Sequence, residues 1–264
     1  MNTLALENRY TVELGDMRQN GILLVGCGGT GSFLALHLAR LAWHLRERNG
    51  QSLPLTFVDP DRVELQNVGR QNFCPAEIGQ YKAWTLMRRY NAAFGLDIQA
   101  HTQPFDREMA YQQRVRIVAG CVDNGAARSA IADAVLRCNG KVWWLDAGNH
   151  EFSGQILLGN SETARPQISP VMRACTDLPL PSVQHPELLG DIHPRGESVG
   201  ESCAELALRD AQSLMINQMM AGWMANYLTR LLVSRDLDVQ ATYIDLVTGA
   251  ARSVAITEEA GDAD

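Results

Sequence analysis

Short apolar runs at residues 22–25, 55–58, 97–102, 115–120 and 142–146 alternate with amphipathic, helix-length segments at roughly 31–47, 79–94 and 125–138. No other feature restricts the fold as much. A short apolar run without alternating polar positions has to be buried on both faces, and strands buried on both faces need helices on each side. A helix is also the usual connection between parallel neighbours. The pattern therefore predicts an α/β fold with a Rossmann-like, doubly wound, mostly parallel sheet.

Residues 155–158 read as one more strand, after which the composition changes. Residues 160–202 are rich in Pro, Ser and His. A stretch of about forty residues seldom occurs as idle connection in a compact domain, so this loop is expected to be a functional element. A long helix follows over 204–233, with Met215, Met219, Met220 and Met224 on a stripe expected to pack as core or dimer surface. Strands at 241–247 and 252–257 flank Thr248-Gly249 and predict a closing hairpin. The expected organisation is a core over 1–160, a crossover or active-site loop over 161–203, and a helix and hairpin over 204–264 that complete the same domain.

Composition narrows the functional classes. The formal charge of −7 over 264 residues argues against a nucleic-acid surface, which needs clustered Lys and Arg. Residues 1–20 lack the basic start, apolar core and small-residue cleavage site of a secretory signal, so a cytoplasmic location is expected. The most apolar stretch, 214–233, is interrupted by Asn217, Gln218, Asn226 and Arg230, which predicts a buried helix and no membrane span. Six cysteines stand without a C-x-x-C pair, neither a disulfide framework nor a zinc ribbon.

The first strand runs into Gly26-Cys27-Gly28-Gly29-Thr30-Gly31 and then a helix. Glycines at Gly26, Gly28, Gly29 and Gly31 let backbone turn tightly and approach a phosphate, while N–H groups at the helix start face the anion. The loop alone does not separate NAD, FAD and ATP, and a tight turn without a ligand would read the same way. Asp59 ends the second strand, where a carboxylate accepts hydrogen bonds from ribose hydroxyls, or caps the Asp59-Pro60-Asp61 turn.

The residues after that strand distinguish the candidates. A dinucleotide fold does not require Asn67, Arg70 and Lys82 clustered behind its second strand. A triphosphate site does, because Arg70 and Lys82 neutralise phosphate charge and Asn67 adds a neutral hydrogen bond. An NAD(P) oxidoreductase is therefore disfavoured. Asp123, at the end of the fourth strand, is a hard carboxylate suited to Mg²⁺ or a helix N-cap, with Asn124 an equal candidate for the cap.

These segments match a family pattern: the glycine loop, then D-x-D-x-V-x-x-x-N-x-x-R-Q over Asp59–Gln71, and I-G-x-x-K ending at Lys82. It continues as Cys121-Val122-Asp123-Asn124 and as Asp146-Ala147-Gly148 followed by Phe152-Ser153-Gly154-Gln155. Over about its first 160 residues the chain resembles the ThiF/MoeB and ubiquitin-activating-enzyme superfamily. The stretch around Glu201–Leu206 and Ser213–Gln218 resembles the ThiF-type proteins of the bacterial PRTRC system. The resemblance implies an ATP-dependent adenylyltransferase that activates the C-terminal carboxylate of a ubiquitin-like or sulfur-carrier-like protein ending in glycine. It implies that Asp59 binds ribose, that Asn67, Arg70 and Lys82 bind phosphates and that Asp123 binds Mg²⁺. Asp61, Gln71 and Asn124 lie inside the matched motifs and are carried with them as nucleotide-binding positions. A homodimer is implied as well. A non-catalytic partner subunit of an activating complex is the alternative, disfavoured by the nearly complete phosphate set.

The chain departs from the family in lacking the paired zinc cysteines and in keeping one arginine of an N-terminal R-Y-x-R-Q element, so Arg9 and Arg18 are left as candidates to be lent across a dimer. Two cysteines are candidate thioester acceptors: Cys175 in the long loop, and Cys203 at the start of the last helix, where the dipole favours a thiolate. For both, an inert buried thiol is the competing reading. His185 and His193 with these cysteines fit no familiar metal spacing, and solvent-exposed histidines are the simpler reading.

Overall fold

A computed structural model describes residues 9–15, 21–112, 115–190 and 203–258, with the backbone alone for 49, 112 and 203–214. After a short strand β1 (Thr11–Val12), strand β2 (Gly21–Val25) leads into α1 (Gly29–Asn49), then β3 (Leu55–Val58), α2 (Lys82–Phe94), β4 (Gln99–His101), α3 (Glu108–Gln112), β5 (Val115–Gly120) and α4 (Gly125–Arg137). Next come β6 (Trp143–Asn149), β7 (Ser153–Gly159), β8 (Gln167–Ser169), β9 (Ala174–Asp177), α5 (Pro181–Gln184), α6 (Cys203–Thr229), β10 (Val239–Asp245) and β11 (Ala250–Ala255).

Eight of these strands form one sheet in the order β11-β10-β7-β6-β5-β2-β3-β4. The five from β6 to β4 are mutually parallel, and β7, β10 and β11 extend the sheet antiparallel. The doubly wound expectation is met, and the chain reverses its direction of winding between β2 and β5. Strand β2 shows why both faces need cover. Ile22 and Leu24 join the core under α1, α2 and α6, whereas Leu23 and Val25 join a second cluster with Ile131 and Val135 of α4. The period of two sends neighbouring side chains to opposite layers.

Helix ends follow local chemistry. α1 stops at Gly50 and α2 at Gly95, both left-handed, with the Gly50 N–H donating to the Arg46 carbonyl and the Gln51 N–H to that of Leu45. α2 starts at Lys82, three residues later than the apolar spacing predicts, because Gly79 at φ +86° cannot continue a helix. α6 packs on α1, β6 and β7 and ends in a π-turn at Arg230–Ser234. Met220 and Met224 on it are buried, while Met215 and Met219 are exposed, so the methionine stripe is half core. Among the described residues no helix is long and apolar enough to cross a membrane.

The long loop carries more order than its composition suggests. β8 and β9 pair antiparallel, and β9 pairs in parallel with β1 to give a small second sheet. Asn160 pins its root: Nδ2 donates to the carbonyls of Gly140 (3.1 Å) and Thr176 (2.9 Å), and Oδ1 accepts from the Leu178 N–H at 2.8 Å. Asn160 is wholly buried, and its bond to Leu178 satisfies a buried backbone N–H.

Candidate functional site

A cleft of about 740 Å³ opens at the carboxyl ends of the parallel strands, where β2 and β5 part. Open α/β sheets bind ligands at this reversal. The four glycines after β2 have different duties. Gly26 has φ +89°, and an ideal Cβ on it would stand 2.5 Å from the Cys121 carbonyl oxygen. A Cβ on Gly31 would collide with the Gly26 carbonyl oxygen, and one on Gly29 with the Asn217 amide of α6. These three serve close packing of the loop. Gly28 instead faces open space, with only the Gln71 amide within reach, at 3.9 Å. It is where a ligand can approach backbone.

The wall beyond β3 is charged. Asp59 is buried and accepts from the Cys27 N–H at 2.6 Å and the Asp61 N–H at 2.8 Å. Burial raises its carboxyl above the ordinary range, against the lowering effect of those two N–H groups and of Lys82. Asp59 thus fastens its own turn and also lines the cleft. Lys82 is buried at the start of α2, with Nζ 3.0 Å from Asp61 Oδ2. An ammonium has three donors, so two remain for another anion. Arg70 lines the cleft and spends Nε on the Gln66 carbonyl at 2.9 Å, which aims the guanidinium without consuming it. Gln71 lines the cleft too, and its Oε1 is buried without a hydrogen-bond partner.

Asn67 departs from its expected place. Its Oδ1 accepts from the Glu64 N–H at 2.9 Å within a capping box around Leu65–Asn67, and it is not among the residues lining the cleft. Its visible role is to shape the turn that presents Arg70. At the end of β5 the two cap candidates separate: Asn124 caps α4, with Oδ1 accepting from the Ala127 N–H at 2.8 Å. Asp123, exposed and lining the cleft, keeps its carboxylate for other work.

Beneath this end of the sheet lies a buried pair. Arg128 Nε is 3.2 Å from Asp146 Oδ2, with the carboxylate entirely inaccessible. Burial raises the Asp146 carboxyl to about 6, opposed by the guanidinium. The pair joins α4 to β6 and so fixes both sides of the Asp123 position.

Several lining residues were not expected from the sequence. Phe105, with Pro104, Val122, Ala126 and Ala130, gives the cleft an apolar section suited to a flat ring. Asn149 ends β6 and Asn217 comes from α6. The signal for Asn217 was present as a polar interruption of an apolar helix, read from the sequence as evidence against a membrane span and as part of a family-like stretch but not as a site residue.

Other expected residues lie elsewhere. Cys175 is wholly buried in β9, donates from Sγ to the Asp177 carbonyl, and has its thiol pushed up to about 12 by burial. It does not line the cleft. Cys203 opens α6, but its side chain lies outside the described residues. His185 engages Glu187 through Nδ1 and Tyr243 through Nε2, both at 2.7 Å. Arg9 pairs with Asp238 at 2.9 Å, whereas Arg18 and His193 fall outside the described residues. Among the described residues no three His, Cys, Asp or Glu side chains gather as a metal site.

The chain is 32% identical over 173 residues to ubiquitin-like modifier-activating enzyme 5 of Drosophila ananassae, covering 58% of this chain and 40% of that protein. It is 33% identical over 127 residues to adenylyltransferase and sulfurtransferase MOCS3-2 of Zea mays, covering 47% and 24%. The chain thus spans less than half the length of these relatives. Among solved structures, E. coli MccB with ATP superposes with a TM-score of 0.58 at 13% identity over 90% of this chain and 64% of that one. PaaA does so at 0.57 and 15% identity, over 92% and 65%. At such identities these two likenesses speak for the fold. The ThiF family model matches residues 4–261, and the chain belongs to the ThiF family.

Proposed function

We propose that the chain is an ATP-dependent adenylyltransferase that activates the C-terminal carboxylate of a ubiquitin-like or sulfur-carrier-like protein. The observation that carries this reading is the convergence of Asp59, Arg70, Lys82 and Asp123, from four separate segments, on the open space over Gly28. The cleft also fits the nucleotide: Gln71 Oε1 lacks a donor, and the apolar section around Phe105 has room for a base. Asp123 would hold Mg²⁺, which takes one or two carboxylates and completes its shell from phosphate oxygens and water, offsetting triphosphate charge.

In the proposed reaction a carboxylate oxygen of the partner bonds to the α-phosphorus. The bond from that phosphorus to the bridging oxygen breaks, and pyrophosphate leaves with the electron pair. Asp59 accepts the ribose hydroxyls. Arg70 and the two unspent Lys82 donors meet the charge that accumulates on the departing oxygens, so the protein contributes chiefly position and field. Within this proposal the acceptor of any subsequent thioester is Cys203, since Cys175 is buried with a raised pKa. A homodimer and a cytoplasmic location belong to the same proposal.

ATP–pyrophosphate exchange with the partner protein tests it. Arg70→Ala or Asp123→Ala should each lower exchange by about 100-fold or more. Exchange that survives both substitutions would falsify the reading. Co-purified ATP or AMP supports it, and co-purified NAD counts against it. Iodoacetamide should label Cys203 and spare Cys175, and the reverse pattern would remove the acceptor assignment.

A further inference from the structure

The sheet order divides the cleft into two walls. Asp59, Asp61, Arg70 and Lys82 follow β3, on one side of β2, whereas Asn149 ends β6, on the other side beyond β5. The first wall supplies the cations a triphosphate needs. On the second, the polar side chains brought by β6 and α6 are Asn149 and Asn217, both uncharged. The guanidinium of Arg128, on α4 beside β6, is held by Asp146.

Asn217 is only 8% exposed. Its Oδ1 accepts from Thr30 Oγ1 at 3.3 Å and from Asn149 Nδ2 at 3.1 Å. Two donors on one oxygen orient the amide and leave Nδ2 as the outward donor. Among the described residues that Nδ2 has no partner. α6 holds it against the glycine loop, 2.6 Å from where a Gly29 Cβ would lie, so no side chain separates the amide from the loop. Asn217 lines the cleft and its neighbours fix the amide, so this donor is reachable from the cleft, where a ligand's acceptor can replace water on it.

We propose that Asn217 receives the carboxylate substrate: its Nδ2 donates to one oxygen of the C-terminal carboxyl group of a polypeptide tail arriving on the β6 side, with Asn149 holding the amide in place. This rests on the adenylation reading above. A neutral amide suits the task better than a cation, because Lys or Arg would neutralise the nucleophile, whereas an amide positions one oxygen and leaves the other free to attack. The contact persists in the acyl-adenylate, whose carbonyl oxygen remains an acceptor.

The test compares two probes, AMP and glycylglycyl-sulfamoyl-adenosine, by calorimetry at pH 8 on wild type, Asn217→Ala and Asn217→Asp. Asn217→Asp keeps an oxygen for Thr30 and Asn149 and replaces only the donor, so a tie between helix and loop survives it. Wild type should bind the acyl analogue more tightly than AMP. Asn217→Ala should weaken the analogue about fivefold or more, the worth of one hydrogen bond, with AMP within about twofold, and Asn217→Asp, whose charge also repels the AMP phosphate, should weaken the analogue further. If Asn217→Ala melts early, Asn217→Leu carries the same expectation. Equal weakening of both probes by the uncharged variant would assign Asn217 to the nucleotide and overturn the proposal. So would unchanged binding of both, or an analogue no tighter than AMP on wild type. Wild type that binds neither probe would overturn the adenylation reading itself, a distinct result.

Discussion

The buried Arg128–Asp146 pair permits a quantitative prediction. Its side chains are 5% and 0% exposed, so neither charge can turn to water if its partner is removed. Arg128→Met leaves a carboxylate stranded beneath Gly120, whose ideal Cβ would already be 2.8 Å from Asp146 Oδ1 and 2.7 Å from Trp144 Nε1. Losing one partner of such a pair costs about 3–5 kcal/mol, whereas replacing both with apolar side chains of similar volume is close to neutral. Arg128→Met and Asp146→Leu should thus each lower stability at pH 7 by about 3–5 kcal/mol, or roughly 6–20 °C in Tm. The double variant should lie much nearer wild type, giving a coupling of several kcal/mol in urea unfolding. Acidity supplies an independent check. With the folded carboxyl raised to about 6, the folded state binds the proton more tightly than the unfolded chain. Wild-type stability relative to Asp146→Asn should therefore fall as pH rises from the ordinary aspartate value of about 4 toward 6, by up to about 1.4 kcal/mol per unit, and level off above. Additive single substitutions, or a difference that grows with pH over this window, would refute the argument.

Three further outcomes rest on named contacts. Asn124→Ala removes the α4 cap and should cost about 1 kcal/mol in chemical denaturation, while Asp123→Asn should leave stability within about 0.5 kcal/mol and abolish pyrophosphate exchange; equal stability losses would undo the division of labour. Gly31→Ala forces a methyl into the Gly26 carbonyl, so nucleotide binding and Tm should both fall, and an unaltered Tm would mean the loop has slack. Asn160→Ala strands the buried Leu178 N–H and removes the donor to two further carbonyls, so it should cost about 2 kcal/mol in thermal melts, where a loss below about 0.5 would show that water replaces the amide.

The parallel core was legible because its signals are local. Residues 55–58 and 115–120 are strands at the boundaries their apolar runs predict, and Asn124-Gly125 marks its helix start. The glycine loop and the positions of Asp59, Arg70, Lys82 and Asp123 around one cleft were legible for the same reason. β8, β9 and β1 were not, because their residues form no continuous apolar run, and β9 finds its partner far away in the sequence. Asn67 misled because a neutral side chain between Asp61 and Arg70 is equally suited to a phosphate and to its own turn. Asn149 and Asn217 meet only through tertiary packing of α6 on β6.

The small second sheet has a consequence for how the molecule comes into being. Tyr10 donates its backbone N–H to Ile256, Val12 donates to Leu237, and Thr11 lies opposite Ala174. During synthesis β1 therefore has no strand partner until β9 has been made, and its remaining backbone bonds wait for Leu237 and Ile256. The parallel core can condense first, but closure must wait for the last hairpin, and contacts so distant in sequence are slow to form. A ribosome stalled after α4 would hold a glycine loop with its charged wall assembled and its second wall missing. Ligand binding would then be acquired in two stages, the helix that carries Asn217 arriving in the second.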